Sequence, residues 1–195
     1  TRPVERLNFE EAAELAYFGA KILHPTCVQP AKLNNIPVRL LSTLDPSVKG
    51  TLIDNMAADH TIKAVDAKDG ITAIRVKSSR MLLAYGFMSK VFEIFEAHKT
   101  PIDMVTVSEV GVSVTVDNER NLESIIAELR KFGTVTIDHD MVIICVVGDL
   151  EWQNRGFEAK ALAALKDIPV RMISYGGSNC NISFLIRKED KVAAL

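Results

Sequence analysis

The sequence predicts an α+β fold in which a βαββαβ unit occurs twice, with one copy inserted into the other. The segment that begins at Ile71 aligns with the segment that begins at Met141, and both contain the same order of elements. Hydrophobic and polar residues alternate from Val112 to Val116, which is typical of a sheet with one buried face. A strand predicted at Thr61–Val65 has no partner in the first copy, so we expect it to complete the second sheet.

The first copy contains every element of the unit. A strand at Ile71–Val76 precedes a helix whose apolar residues begin at Phe87, and two strands follow this helix. The second helix carries an apolar stripe from Leu122 to Phe132 and ends near Gly133. The closing strand is predicted at Val135–Ile137, and we expect both helices on one face of the sheet.

The second copy repeats this order but is incomplete. Its first strand is predicted at Val142–Val147, and its first helix begins near Phe157. A second helix begins after Lys188 and is cut at Leu195, before a closing strand could form. The strand ahead of the first copy therefore takes the place of the missing one.

The alignment of the two copies also predicts how they differ. Gly86 corresponds to Gly156, but the spacing between the copies is two residues shorter where Pro101 corresponds to Pro169. The original spacing returns in the following strand. We therefore expect the second copy to have a helix shortened by two residues and a turn lengthened by two.

Residues 1–55 do not follow the repeat. Asn8 and Glu11 have the spacing of a helix start with reciprocal capping, and the helix is predicted to continue to Gly19. The elements that follow are predicted from prolines, turn residues and one aliphatic run. They are a segment broken by Pro25, a turn opened by Pro30, a strand at Ile36–Leu41, a loop at Asp45–Gly50 and a linker at Ala57–His60.

Composition excludes several classes of protein. The chain has 195 residues with 23 basic and 25 acidic side chains, so no basic field is available for a nucleic acid. The longest apolar run, Met141–Val147, is too short to span a bilayer, and we expect a cytoplasmic protein. Cys27, Cys145 and Cys180 are far apart, which favours three buried or half-buried thiols in a reducing compartment.

Catalytic and metal-binding signatures are missing from the sequence. There is no glycine-rich phosphate loop, because Gly176–Ser178 lies between two predicted strands and is interpreted as a hairpin turn. The histidines are isolated from one another and from any cysteine pair, so we expect surface or capping roles and no metal site. They are His24, His60, His98 and His139.

The residues that remain suggest a recognition site in the first copy. The backbone amides of Gly86, Phe87 and Met88 lie at a predicted helix N-terminus, which is suited to a carboxylate. Asp103 lies on the next strand, and Ser108 and Glu109 lie at the turn that follows it, so the two acids could bind an ammonium group. A zwitterion is therefore one possible ligand, and solvated turn residues without a ligand are the other interpretation.

Several motifs carry a resemblance to a known family. The repeated units resemble ACT domains, which are small ligand-binding modules of amino-acid metabolism. FEEAAELAYFGAKILHP followed by IPVRLLSTLDPSVKGTLI resembles the C-terminal end of the kinase domain of aspartate kinases. SRMLLAYGFMSKVF and IDMVTVSEVGVSVTVD are similar to lysine-sensitive members, and they lack the glutamine-containing turn of threonine-sensitive ones.

The resemblance covers nearly the whole chain and implies three segments. Residues 1–55 would be the C-terminal remnant of an α/β amino-acid-kinase domain. Residues 71–138 would form a first ferredoxin-like ACT domain, and residues 61–66 with 141–195 would form a second one, truncated at its C-terminus. Because Thr1 is not an initiator methionine, we expect the chain to be a fragment that lacks the N-terminal kinase domain.

Aspartate kinases phosphorylate the side-chain carboxylate of aspartate with ATP and magnesium, the first step towards lysine, threonine and methionine. The chain has neither the family's characteristic start nor its segments for aspartate and phosphate. The resemblance therefore implies a regulatory part that has no catalytic residue, binds no cofactor and is inactive alone. Lys21 and Ile22 match a pair that contacts the nucleotide in the parent enzyme, and here they are expected to face solvent.

The resemblance also implies an effector site. Lysine would act as a feedback inhibitor bound between the first ACT domains of two subunits in a homodimer. The positions that match its contacts are Met81, Gly86, Phe87, Met88, Ile102, Asp103, Ser108 and Glu109. Ala84 stands where some lysine-sensitive members have serine, which removes a side-chain hydrogen bond. A response to threonine, or ACT domains that only hold a dimer together, are the alternatives.

Overall fold

The structure is a computed structural model, and it describes residues 4–18, 23–45, 47–55, 61–78, 85–153 and 155–195. The predicted linker at Ala57–His60 lies outside these residues. The part of the chain before the linker forms one small sheet, and the part after it forms a larger one.

The N-terminal part forms a three-stranded sheet with two helices. Its elements are β1 (Arg6–Asn8), α1 (Phe9–Phe18), α2 (Pro25–Leu33), β2 (Val38–Leu40) and β3 (Thr51–Asp54). β3 lies in the centre, parallel to β1 and antiparallel to β2. The sequence predicted α1 and a longer β2, but it missed β1 and β3. These strands have only three and four residues, too few to show a period of two.

Pro30 lies inside α2, so the prediction that it opens a turn is wrong. The helix begins at Pro25, where a missing N–H has little cost because the first helical N–H groups have no intrahelical acceptor. His24 caps this end by accepting a hydrogen bond from the Thr26 N–H at 3.3 Å. Val28 of the same helix is buried in the N-terminal core, and we attribute the tolerance of Pro30 to this packing.

The second sheet has six strands in the order β5-β6-β4-β7-β9-β8, and every neighbouring pair is antiparallel. Its elements follow the predicted order of the two copies. They are β4 (Ile62–Lys77), α3 (Phe87–Ala97), β5 (Val105–Ser108), β6 (Gly111–Val116), α4 (Leu122–Leu129), β7 (Thr134–Gly148), α5 (Phe157–Ala164), β8 (Met172–Tyr175) and β9 (Asn181–Arg187). A 3₁₀ turn (Lys188–Asp190) and the short helix α6 (Lys191–Ala194) end the chain.

The two copies share two long strands where the sequence predicted four short ones. The first half of β4 pairs with the second half of β7, and the second half of β4 pairs with the first half of β7. Irregular pairing interrupts this ladder between Lys68 and Ala73, where Gly70 has a φ of 73° and Asp140 of β7 has a φ of 53°. The first half of β4, which lies ahead of the first copy, therefore completes the part of the sheet that belongs to the second unit, and the first unit is inserted in the second.

The predicted differences between the copies are present in direction, but each amounts to three residues instead of two. α5 has 8 residues and α3 has 11, so the helix of the second copy is shorter. The connection between β8 and β9 is longer than the tight turn between β5 and β6. It contains the predicted turn at Gly176, whose φ of 93° favours glycine because it lies in the left-handed region.

The two faces of the six-stranded sheet have different partners. Helices α3, α4 and α5 cover the helical face, which carries Ile74 and Ile144. The opposite face, called here the inner face, carries Ile71 and Ile143 and receives Phe18 of α1. The edge strands β5 and β8 approach each other to within 8 Å between Cα atoms. The sheet therefore curls around its inner face, and α1 packs into the space that remains.

The three cysteines differ in accessibility. Cys145 and Cys180 are buried as expected, and burial raises the pKa of each thiol to about 12. Cys27 is exposed on α2, so the expectation that it is buried or half-buried is wrong. It occupies a position of α2 that points away from the core containing Val28.

We expect an aromatic disulfide reagent at pH 8 to modify one thiol per native chain rapidly. Cys27 is accessible, whereas the other two thiols are buried and remain protonated at that pH. The measurement is the time course of thiolate release, with Cys27→Ser as the matched control that should lose the rapid phase. Rapid modification of a second thiol would contradict this packing of α1 on the sheet.

No helix within the described residues is long and apolar enough to cross a membrane.

Candidate functional site

Helix α1 connects the N-terminal layer to the six-stranded sheet. Its first turn is held by the predicted capping box, in which the Asn8 N–H donates to Glu11 Oε2 and the Glu11 N–H donates to Asn8 Oδ1, both at 2.8 Å. Phe9 is buried in the N-terminal core, and Phe18 at the other end is buried in the core of the inner face. The helix therefore belongs to both hydrophobic cores.

Asp103 is fixed close to the end of α1. Its backbone N–H donates to the Thr115 carbonyl at 3.0 Å, and the N–H of Met104 donates to the Thr115 hydroxyl at 2.9 Å. These bonds extend the pairing of β5 with β6 beyond the regular strand. The Asp103 side chain is only 2% exposed, so its charge requires partners inside the protein.

Lys68 and Tyr17 provide those partners. Lys68 Nζ lies 2.6 Å from Asp103 Oδ1 and 2.8 Å from Asp117 Oδ2, so one ammonium group bridges two carboxylates. The Tyr17 hydroxyl donates to the same Asp103 oxygen at 3.1 Å. Lys68 Nζ also lies 5.0 Å from the centre of the Tyr17 ring, within cation–π range. This cluster ties α1 to β4 and to the chain ahead of β5.

The pKa shifts in the cluster follow from burial and charge. Burial alone would lower the pKa of Lys68, but the hydrogen bonds to Asp103 and Asp117 outweigh it and raise that pKa. Burial, followed by the charge of Asp103, raises the pKa of Tyr17. At neutral pH, Lys68 is therefore a cation and the Tyr17 hydroxyl keeps its proton for Asp103.

The other predicted effector residues lie at the opposite end of the first unit. Ser108 and Glu109 lead into the turn between β5 and β6, and the Ser108 hydroxyl donates to the Gly111 carbonyl at 3.2 Å. The Ser78 N–H donates to the Val110 carbonyl at 2.9 Å, which places the end of β4 beside this turn. The chain then leads to α3, whose N-cap Gly86 has a φ of 82°.

The predicted effector residues therefore form two groups within one chain. The end of β4, the β5–β6 turn and the α3 N-terminus form the first group, with Gly86, Phe87, Met88, Ser108 and Glu109. Ile102 and Asp103, which follow the C-terminus of α3, form the second group. The extended chain from Asp103 to Glu109 spans on the order of 15 to 20 Å. One chain cannot bring both carboxylates to one ammonium group.

Within these groups, Phe87 is buried in the core of the helical face, and Met88 and Ile102 pack against that core. Much of the apolar surface of these three side chains is therefore buried within the fold. Met81, Ala84, Lys21 and Ile22 lie outside the described residues.

Sequence reasoning missed Lys68, Tyr17 and Asp117. In a regular strand, Lys68 and Ile71 would point to opposite faces because they are three residues apart. The irregular pairing between them places Lys68 opposite Ile143 and Ile71 opposite Met141, so both belong to the inner face. No signal in one sequence shows such a bulge, except that Gly70 marks a position where one is possible.

Comparison with known families gives the class of the chain. A family profile described as ACT domain matches residues 144–195. Together with the nested βαββαβ units, this match defines a protein that contains ACT domains.

The chain is also 59% identical to a solved chain from Porphyromonas gingivalis W83, described as a C-terminal regulatory domain of aspartate kinase. The superposition covers 67% of this chain and 90% of that one, with a TM-score of 0.62. The chain belongs to the aspartokinase family.

Longer relatives lead to the same family. The chain is 35% identical to the chloroplastic aspartokinase 3 of Arabidopsis thaliana, over 97% of this chain and 36% of that protein. It is 32% identical to the lysine-sensitive aspartokinase 3 of Escherichia coli K12, over 96% of this chain and 44% of that protein. The structure of E. coli aspartokinase III with aspartate and ADP superposes with a TM-score of 0.87, over 98% of this chain and 45% of that one. The chain thus spans less than half of these full-length relatives.

Proposed function

We propose that this chain is the regulatory part of an aspartokinase and that it binds lysine as an allosteric feedback inhibitor between the first ACT units of two copies. The observation that carries the proposal is the division of the effector positions into two groups at opposite ends of β5. A site that uses both groups needs two chains. A structure of E. coli aspartokinase III in complex with lysine and aspartate, with 33% identity and a TM-score of 0.85, supports lysine as the ligand.

Strand β5 offers the geometry for such an interface. It forms one edge of the six-stranded sheet, and its second half, Val107 and Ser108, is exposed, so this half can accept a second strand. A two-fold axis beside β5 would pair it with its copy in antiparallel orientation. Asp103 of one chain would then lie near Ser108 and Glu109 of the other. The exposed side chains of Val107 (58%) and Val110 (43%) provide apolar surface for the contact.

In this arrangement the ligand's charges have natural partners. The first N–H groups of α3, which have no intrahelical acceptor, favour the carboxylate of an amino acid, and Asp103 or Glu109 favours its ammonium groups. Lysine stabilises the arrangement of chains that it binds better, so it shifts the population towards the inhibited state. Helix α1 belongs both to the N-terminal core and to the core of the inner face, so it would transmit the change between them.

The activity of the parent protein would be phosphorylation of the aspartate side chain by ATP with magnesium, in the cytoplasm. The part of the parent outside this chain would perform it, and Lys21 and Ile22 would contact the nucleotide there. The E. coli structure with aspartate and ADP supports these substrates for the family.

Calorimetric titration of the chain with lysine tests the effector. We expect heat and saturation with L-lysine and no heat with L-threonine or D-lysine at the same concentration. Analytical ultracentrifugation in the same buffer should show a dimer, because the site needs two chains. Heat with threonine alone would overturn the effector assignment.

One observation favours a second function, in which the ACT units only hold a dimer together. Asp103 Oδ1 already has an internal ammonium partner in Lys68, so this oxygen needs no ligand. In that case the thermal unfolding midpoint would be the same with and without millimolar amino acids, because a ligand selective for the native state must raise it.

A further inference from the structure

A second candidate site lies between α1 and the two edges of the curled sheet. A cavity of about 280 Å³, called here the seam cavity, is lined by Glu14 and Tyr17 of α1, by Asp103, and by Ser174, Asn181 and Ser183 of β8 and β9. It lies where β5 and β8 approach each other and is therefore on the inner side of the sheet. Its lining combines side chains from the N-terminal layer, the first unit and the second unit.

Two buried polar atoms without a partner face this cavity. Among the described residues, Asp103 Oδ2 and Ser183 Oγ are the buried side-chain oxygen or nitrogen atoms that have no hydrogen bond. The Asp103 side chain and the Ser183 residue are each 2% exposed, so bulk water does not satisfy them. Such atoms are costly in a folded protein, and two in one cavity indicate a missing partner.

The neighbouring Cys145 thiol lies beside the Ser183 hydroxyl but is only a weak partner for it. Burial raises the pKa of Cys145 to about 12, and the adjacent Ser183 hydroxyl opposes this rise only in part. Cys145 therefore stays a neutral thiol, which is a weak donor and a weak acceptor. Ser183 retains a lone pair that can bind a stronger donor or a cation.

The electrostatic character of the cavity indicates the charge of its ligand. Asp103 shares its ammonium partner with Asp117, so Lys68 does not neutralise both carboxylates. Glu14 adds a further negative charge and accepts a hydrogen bond from the Asn181 amide, which leaves the Asn181 carbonyl oxygen as an acceptor. The acids Glu10, Glu11 and Glu14 also help to raise the pKa of nearby Cys180, after the effect of burial. The field in this region is negative.

We propose that the seam cavity binds a small monovalent cation, either an inorganic ion or the ammonium group of a small amine. Carboxylate, hydroxyl and amide oxygens are suitable ligands for both. A divalent ion such as Ca²⁺ would need more oxygen ligands and more carboxylates than the lining supplies. The bound cation joins Asp103 to Ser183, so it fastens the first unit to the second beneath α1. This site lies within one chain and shares Asp103 with the proposed effector site, which lies between two copies.

Thermal unfolding of the chain in matched chloride salts tests the proposal. We expect the Tm to rise by about 5 °C in saturating potassium, sodium or methylammonium chloride compared with tetramethylammonium chloride at equal ionic strength. Tetramethylammonium is larger and has no N–H donor. A rise with potassium or sodium alone identifies an inorganic ion, and a rise with methylammonium alone identifies an amine.

The Ser183→Ala variant distinguishes a cavity that binds a cation from a cavity that holds only water or nothing. If a cation is bound, the variant loses most of the salt-specific rise and is less stable than the parent chain in the effective salt. Ser113→Ala on β6, away from the cavity, is the matched control and should keep the full rise. If the cavity holds only water or nothing, Tm is the same in all the salts and the salt response of Ser183→Ala equals that of its parent. Either result overturns the proposal.

Discussion

Replacing Lys68 with methionine is expected to lower the free energy of unfolding by about 2 to 4 kcal/mol. Methionine preserves most of the side-chain volume but removes the ammonium group that bridges Asp103 and Asp117. Among the partners that the described residues provide, the Asp103 carboxylate, 2% exposed, would retain only the Tyr17 hydroxyl. Removing one member of a buried ion pair is costly because the other charge stays buried without compensation.

Urea unfolding followed by circular dichroism measures this loss. The matched control is Lys77→Met in the same strand, because Lys77 is exposed and its replacement should change stability by no more than about 0.5 kcal/mol. The double variant Lys68→Met with Asp103→Asn removes both charges and should recover much of the loss. A cost for Lys68→Met that is no larger than for Lys77→Met would show that the cluster does not hold α1 on the sheet.

Replacing Glu109 with alanine is expected to weaken lysine binding by about 1.5 to 3 kcal/mol, which is roughly 10-fold to 150-fold in Kd. Glu109 is an exposed turn residue, so its truncation should leave the fold intact. The loss would be that of a charge-assisted hydrogen bond to the ligand's ammonium group. Glu123→Ala, an exposed acid in the first turn of α4, is the control for a general change in charge.

Mixing variants tests whether the two acids come from different chains. Chains with Asp103→Asn and chains with Glu109→Ala, each defective alone, can exchange to form a heterodimer. If each site combines Asp103 of one chain with Glu109 of the other, one of the heterodimer's two sites is intact. About a quarter of all sites in an equal mixture then regain the original affinity.

The mixing experiment has a different outcome if both acids bind the ligand within a single chain. If both acids served a ligand within one chain, every site in the mixture would keep one defect and no tight site would appear. Unchanged affinity in the Glu109→Ala variant would instead remove Glu109 from the site. Calorimetric titration distinguishes these results because it reports both the number of sites and their affinity.

Local and periodic features of the fold could be predicted from the sequence. The capping box of Asn8 and Glu11 is formed by residues three positions apart, so no other part of the chain is needed to recognise it. The repeat between the segments that begin at Ile71 and Met141 revealed the nested α+β architecture, because both copies bury the same faces. The spare strand ahead of the first copy was identified in the same way.

Features that depend on contacts between distant elements could not be predicted. Pro30 was assigned to a turn by its local preference, but packing of α2 on the N-terminal core keeps it in a helix. The short strands β1 and β3 form only because each has a partner. In both cases tertiary burial supplies free energy that local sequence preference does not contain.

The site shows the same division. From the sequence alone, Asp103 and Glu109 could be selected as the acids of a recognition site, because both lie beside predicted strands of the first copy. Only the tertiary structure separates them to opposite ends of β5 and pairs Asp103 with Lys68 and Tyr17. The reason is physical: a bulge near Gly70 changes which face Lys68 occupies, and the curl of the sheet brings α1 over it. The sequence by itself thus determined the repeat and the choice of residues, and the three-dimensional packing decided which of them meet.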